Sequence, residues 1–134
     1  MWSTEHGVET TASREDVWRA WADVPRWPDW NADLERAELA GPFAVGSRIT
    51  MTSQDGEPIE LTLADALEPA LFVDEARLGE TVVRTIHRVE PAAGDRRRIT
   101  YRMEISGPDG ETLGPMISGD FPDVLAALVR YLER

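Results

Sequence analysis

The chain opens on a period-two pattern. Trp2, Thr4, His6 and Val8 alternate with Ser3, Glu5, Gly7 and Glu9, which predicts a half-buried strand with one charged face. After Thr10 the period lengthens. Val17, Trp18, Trp21 and Val24 recur at helical spacing behind Ser13, whose hydroxyl can cap a helix, with Glu15 and Asp16 at its positive start. This predicts a helix over 14–23, ended by Pro25. Trp27-Pro28-Asp29-Trp30 predicts a short second helix or helical turn.

From Leu34 the pattern returns to strands: 34–40, 48–53, 58–64, 71–78, 81–90 and 98–106. Asp55-Gly56, Gly79-Glu80 and Ala93-Gly94-Asp95 supply turns between them, and Pro69 interrupts the pattern. Most strands alternate cleanly: Ile59, Leu61 and Leu63 share one face, as do Ile99, Tyr101, Met103 and Ile105. Strand 71–78 does not. Leu71, Val73 and Glu75 compete with Phe72, Asp74 and Ala76 for the inner face, and the outcome decides whether a carboxylate enters the interior.

The last segment changes period again. Leu113, Met116, Ile117, Phe121, Val124, Leu125, Leu128, Val129 and Leu132 recur at steps of three and four, predicting one long amphipathic helix over 111–132. At 1.5 Å per residue it is about 33 Å long. Pro122 lies inside it and is expected to kink it rather than end it. The order β-α-α-β-β-β-β-β-β-α describes one α+β domain over 1–134. In it a curved antiparallel sheet of about seven strands wraps the long C-terminal helix, with two short helices after the first strand. A sheet with one apolar face needs a cover, and only that helix is long enough.

Composition narrows the chemistry. Net charge is −11, from 25 acidic residues against 14 basic ones, every one of them Arg. Phosphate backbones repel such a domain, so no nucleic-acid partner is expected. The absence of Lys reads as GC-rich coding. No Cys is present, which excludes disulfides, thiolate metal sites and cysteine nucleophiles. Two histidines in no ligand-spaced motif predict no metal site, and no cofactor-binding signature occurs. No apolar run reaches the ~20 residues of a membrane span, and Met1-Trp2-Ser3-Thr4-Glu5 lacks the features of a signal peptide. A cytoplasmic protein, monomer or homodimer, is the expectation.

The chain resembles the START-like helix-grip superfamily (SRPBCC), in its bacterial polyketide cyclase/dehydrase branch. The matching residues are Thr10-Thr11-Ala12-Ser13-Arg14-Glu15-Asp16-Val17-Trp18, Asp23 with Trp27-Pro28-Asp29-Trp30, Gly41-Pro42-Phe43 with Gly46, Val89-Glu90-Pro91, Ser106-Gly107-Pro108 and the closing helix. The resemblance implies a ligand cavity between the sheet and the long helix, with the first and last strands paired and the short helices at its mouth. It implies no single catalytic signature, because the superfamily hosts carriers, receptors, cyclases, hydrolases and chaperone activators.

Candidate site residues follow from strand and helix parity. His87 shares a face with Val83, Thr85 and Val89. It is read either as an acid/base or carbonyl-binding group, or as a histidine bonded to a neighbouring strand. Strand pairing implied by the resemblance would bring His6 near Tyr101 or Met103, making a polar cluster of His6, His87 and Tyr101. Tyr101 either polarises a carbonyl or is core. Trp27 and Trp30 are the aromatics expected to touch a ligand, whereas Trp18 and Trp21 are expected to be packing. Met51, Met103 and Met116 fall on expected inward faces, with Leu61, Ile117 and Phe121 beside them. Arg96-Arg97-Arg98 is read as a solvated strand start.

Three functions compete: a carrier or binding protein for a small apolar or amphipathic molecule, a cyclase/dehydratase/aromatase-type enzyme on a carbonyl substrate, and a protein-interaction module. The first is the preferred reading. The third predicts a filled interior and an exposed apolar patch.

Overall fold

A computed structural model describes all 134 residues. Seven strands form one antiparallel sheet in the order β1-β7-β6-β5-β4-β3-β2. They are β1 (Trp2–Thr10), β2 (Leu34–Ala40), β3 (Arg48–Ser53), β4 (Pro58–Leu67), β5 (Leu71–Leu78), β6 (Thr81–Pro91) and β7 (Arg97–Ser106). Helix α1 (Arg14–Ala22) and a 3-10 helix (Val24–Asp29) follow β1. The C-terminal helical stretch comprises α2 (Gly110–Ser118) and α3 (Phe121–Leu132).

Local chemistry explains the first elements. In β1 the Trp2, Thr4, His6 and Val8 face is half-buried and the alternate face exposed, as its period of two requires. Ser13 caps α1 by accepting the Asp16 N–H at 3.1 Å. Pro25 sits at the start of the 3-10 helix, so the proline that ends α1 begins the next turn.

Strand β4 extends three residues beyond its expected end. A bulge between Leu63 and Asp65 carries it on to pair with Leu71, Phe72 and Val73. One extra residue exchanges the two faces. Ala66, not Asp65, therefore sits opposite inward Phe72. Pro69, in a cis peptide bond, lies in the turn that follows.

The C-terminal helix is divided rather than merely kinked. Pro122 has no N–H to bond the Ser118 carbonyl, and its ring would crowd that oxygen. Gly119 and Asp120 remain right-handed, and the Val124 N–H resumes the helical pattern on Asp120 O at 2.9 Å. The two segments pack differently. Helix α3 buries Phe121, Val124, Leu125 and Leu128. Helix α2 buries the small residues Gly110, Gly114 and Ser118, and a Cβ on Gly114 would fall 2.4 Å from the Trp2 ring. Met116 stands two residues, about 200° of rotation, from both Gly114 and Ser118. It consequently points outward, 75 % exposed, and the inward placement expected from its spacing is corrected.

The far end of the helix is tied to the sheet. Glu133 accepts from the Thr10 hydroxyl at 2.6 Å and from the Thr11 N–H at 3.1 Å, and these donors hold its carboxyl below the usual carboxylate range. The 3-10 helix, β2–β7 and the α2–α3 junction together leave a hollow over the middle of the sheet. No helix is long and apolar enough to cross a membrane.

Candidate functional site

The hollow is a cavity of about 250 Å³ whose 22 lining residues include 15 hydrophobic ones. Volume and composition suit a small, mainly apolar ligand. Trp27, Trp30, Met51, Leu61, Met103, Ile117 and Phe121 line it, together with His87 and Tyr101. Met116 does not, and neither does His6.

Antiparallel register builds the polar part of the wall. Phe72 of β5 pairs with His87 of β6, His87 with Tyr101 of β7, and Tyr101 with His6 of β1, giving an aromatic row across four strands. The adjacent row runs Leu63, Asp74, Thr85, Met103 and Thr4. His6 is thus beside Tyr101, as the strand pairing implied. However, α3 crosses β1, and Phe121 packs edge-on to both His6 (6.2 Å between ring centroids) and Tyr101 (5.8 Å). The expected three-membered polar cluster is corrected accordingly: His6 is covered, and Asp74 takes its place in the cavity wall.

Asp74 settles the ambiguous parity of β5. Phe72, Asp74 and Ala76 face inward and line the cavity. Val73 is buried as well, but outside the main core cluster, so β5 carries buried apolar residues and a carboxylate on both faces and alternation alone could not separate them. Asp74 is only 6 % exposed. His87 Nε2 lies 3.9 Å from its Oδ2, too far for a hydrogen bond. Burial first, and then the nearby Glu75 charge, push its carboxyl up to about 7. No cation offsets either effect.

His87 is held by its neighbours. Its ring stacks on Phe72 (3.9 Å, 5°) and meets Tyr101 edge-on at 4.6 Å. Nδ1 lies 3.3 Å from the Phe72 carbonyl oxygen, a pure acceptor, so Nδ1 carries the hydrogen and Nε2 presents a lone pair toward Asp74. Burial lowers its pKa to about 3 against the smaller opposing effect of that bond. His87 is therefore neutral near pH 7 and a weak base. It is bonded to the neighbouring strand and lines the cavity at once.

Tyr101 accepts the Trp21 indole N–H at 3.1 Å, and burial raises its phenol well above the usual value. Its own O–H remains free to donate. Trp27 donates its N–H to the Trp21 carbonyl at 2.9 Å, which fixes the ring over the cavity. Trp30 leaves its buried indole N–H without an acceptor. At the rim, Asn31, Asp33, Ser53 and Asp120 replace the apolar wall. Partial burial, then a hydrogen bond with Asp33 and repulsion from it, hold the Asp120 carboxyl up at about 7.

The family model for polyketide cyclase/dehydrase and lipid transport matches residues 1–133. The chain belongs to that family. Solved structures similar to this family member share its fold. Norcoclaurine synthase from Thalictrum flavum is 19 % identical over 99 % of this chain and 87 % of its own, with a TM-score of 0.78. A START superfamily protein from Mycobacterium smegmatis is 16 % identical over 98 % of this chain and 97 % of its own, at 0.75. DynU16, from the dynemicin biosynthetic locus, is 19 % identical over 98 % of this chain and 47 % of its own, at 0.76. No curated protein sequence matches the chain. At these identities the solved structures bear on the START-like helix-grip fold alone.

Proposed function

We propose that this family member binds a small apolar or amphipathic molecule in the cavity between the sheet and the C-terminal helix, as a carrier or ligand-binding protein. One observation carries the reading: the space under the helix is open and mainly apolar, with few polar groups converging on it. An interaction module would have filled it.

Native mass spectrometry of the freshly purified protein is the first test, with extraction of any bound fraction. The expected result is a stoichiometric apolar adduct. Ala76→Leu is its control. Ala76 lines the cavity beside Asp74, so the larger side chain is expected to weaken ligand retention at least about tenfold while the fold survives. Apo masses from several hosts, or retention unaffected by the filled cavity, would remove the carrier reading.

A second reading rests on Asp74: a cyclase, dehydratase or aromatase-type enzyme using the same cavity. A carboxylate with a pKa near 7 suits general-base work better than His87, whose burial makes it a weak base. In that reaction Asp74 takes the proton from the carbon beside a ligand carbonyl. The released electron pair moves onto the carbonyl oxygen, to which Tyr101 donates its hydrogen bond. Any turnover of a carbonyl substrate is expected to rise with pH through about 7, because the base must be ionised, and to collapse in Asp74→Asn. A flat profile would count against this chemistry.

A further inference from the structure

Cavity charge has one sign. Its lining includes Asp33, Asp74 and Asp120 and not a single Arg, in a chain whose every basic residue is Arg. His87, the one other basic group in the wall, is neutral. Much of the remaining wall is aromatic: Trp27, Trp30, Phe72, Tyr101 and Phe121. We propose that the ligand of this cavity is a small organic cation, an apolar or aromatic body carrying a protonated amine. This rests on the ligand-binding reading and names its ligand class.

Two independent features support an ammonium. Asp74 is a nine-tenths-buried carboxyl that faces the cavity and has no hydrogen-bond partner of its own. Such a group is costly to ionise alone and is stabilised by an incoming cation. Aromatic faces attract a cation through their quadrupoles, which offsets part of its desolvation. A carboxylate or phosphate ligand meets the opposite situation. It would enter past Asp33 and Asp120 toward Asp74 with no cation to receive it, so fatty acids and phosphorylated molecules are disfavoured.

The proposal has a pH signature of definite sign. The titratable groups meeting Asp74 are His87 of β6, Tyr101 of β7 and Glu75 on its own strand, and Arg84 pairs with Glu75 at 3.7 Å. Those acting on Asp120 are Asp33 and Asp123. Of the cavity groups, Asp74 and Asp120 change charge near neutrality. Each must be ionised to pair with an ammonium, so amine binding expels a proton and strengthens as pH rises. The ligand's own amine, near the ~10.4 of lysine, stays charged throughout.

The test is calorimetric titration of the full chain with phenylbutylamine, phenylbutanol and phenylbutyrate, which share one body and differ in charge. The amine is expected to bind most tightly at about pH 8, to weaken about tenfold at about pH 6, and to release protons on binding. Phenylbutyrate is expected to bind least. Asp74→Asn and Asp120→Asn keep the shape and remove the charge, and at least one should abolish the preference for amine over alcohol. If the alcohol or the carboxylate equals the amine, or if both variants keep the preference, the amine proposal is overturned while the cavity reading stands. If none of the three binds, the ligand-binding reading fails and takes this proposal with it.

Discussion

Asp74→Asn is expected to stabilise the protein by on the order of 3 kcal/mol at about pH 8, and to leave its stability unchanged near about pH 4. Asp74 is 6 % exposed and unbonded, and burial raises its pKa from 3.8 to about 7. Between those values the folded state holds a proton that the unfolded state has lost. Stability contributed by the acid form is therefore lost as pH rises through about 7. Above that, the fold carries an uncompensated carboxylate, and asparagine removes it at constant shape. The neutral amide also needs partners, which is why the gain falls below the full shift.

His87 acts with the opposite sign. Its folded pKa is depressed from 6.5 to about 3, so the stability of its neutral form is present above the ordinary value and lost as pH falls toward 3. Over the interval from roughly pH 4 to 6.5 the two slopes oppose each other, which flattens the wild-type profile. Asp74→Asn should unmask the loss due to His87 on acidification. Urea midpoints from pH 4 to 8 for both proteins test this. A variant less stable than wild type at pH 8 would mean that Asp74 is partnered and that the burial argument is wrong.

Trp21→Ala is expected to cost about 3–5 kcal/mol, the range for removing a large aromatic from a core. Trp21 is fully buried. Its ring meets Trp18 (6.3 Å), Phe72 (5.2 Å) and His87 (6.2 Å) edge-on, and its N–H satisfies Tyr101. Alanine therefore opens a void and strips Tyr101 of a donor at the same time. Trp21→Phe keeps most of the packing and loses the hydrogen bond with part of the ring volume, so it should cost less. Chemical denaturation followed by circular dichroism separates the two variants. A loss below about 1.5 kcal/mol for alanine would show that α1 and the row beneath it can close over the gap.

These effects concern the residues on which the cavity depends. Trp21 lies behind the Phe72, His87 and Tyr101 row and does not line the hollow. Asp74 is the group whose charge the hollow leaves open. An uncompensated buried carboxyl at a cost in stability is the feature on which both the enzymatic reading and the amine proposal rest. The same carboxyl is the base of the enzymatic reading and the counter-ion of the amine proposal, so Asp74→Asn bears on function as well as on stability.

Much of this was legible in the chain. Period two over Trp2–Val8 and again over Ile99–Ile105 determined the strands, Ser13 and Pro25 the limits of α1, and the three-and-four spacing of Phe121, Val124, Leu125 and Leu128 the helix that covers the sheet. These are local signals, set by side-chain direction and backbone sterics within a few residues. The aromatic and methionine wall followed wherever parity was clear. Met116 misled because spacing identifies an apolar stripe but not the stripe a helix buries. Helix α2 approaches the sheet through Gly110 and Gly114, where close contact with Trp2 outweighs the burial of a methionine.

Only the tertiary structure decided the rest. The parity of β5 depended on strands far along the chain. Pairing with β4 and β6 turned Asp74 inward, and two faces that each carry buried apolar residues and a carboxylate had hidden that from the sequence. His6 was placed in the correct row, but the path of α3 over β1 covered it. The charge balance of the cavity emerged in the same way. Composition shows an acidic chain, but register, the β4 bulge and the break before Phe121 bring three carboxyls and no arginine to one apolar hollow. Periodicity acts over a few residues, whereas the field inside a cavity sums groups that only folding brings together.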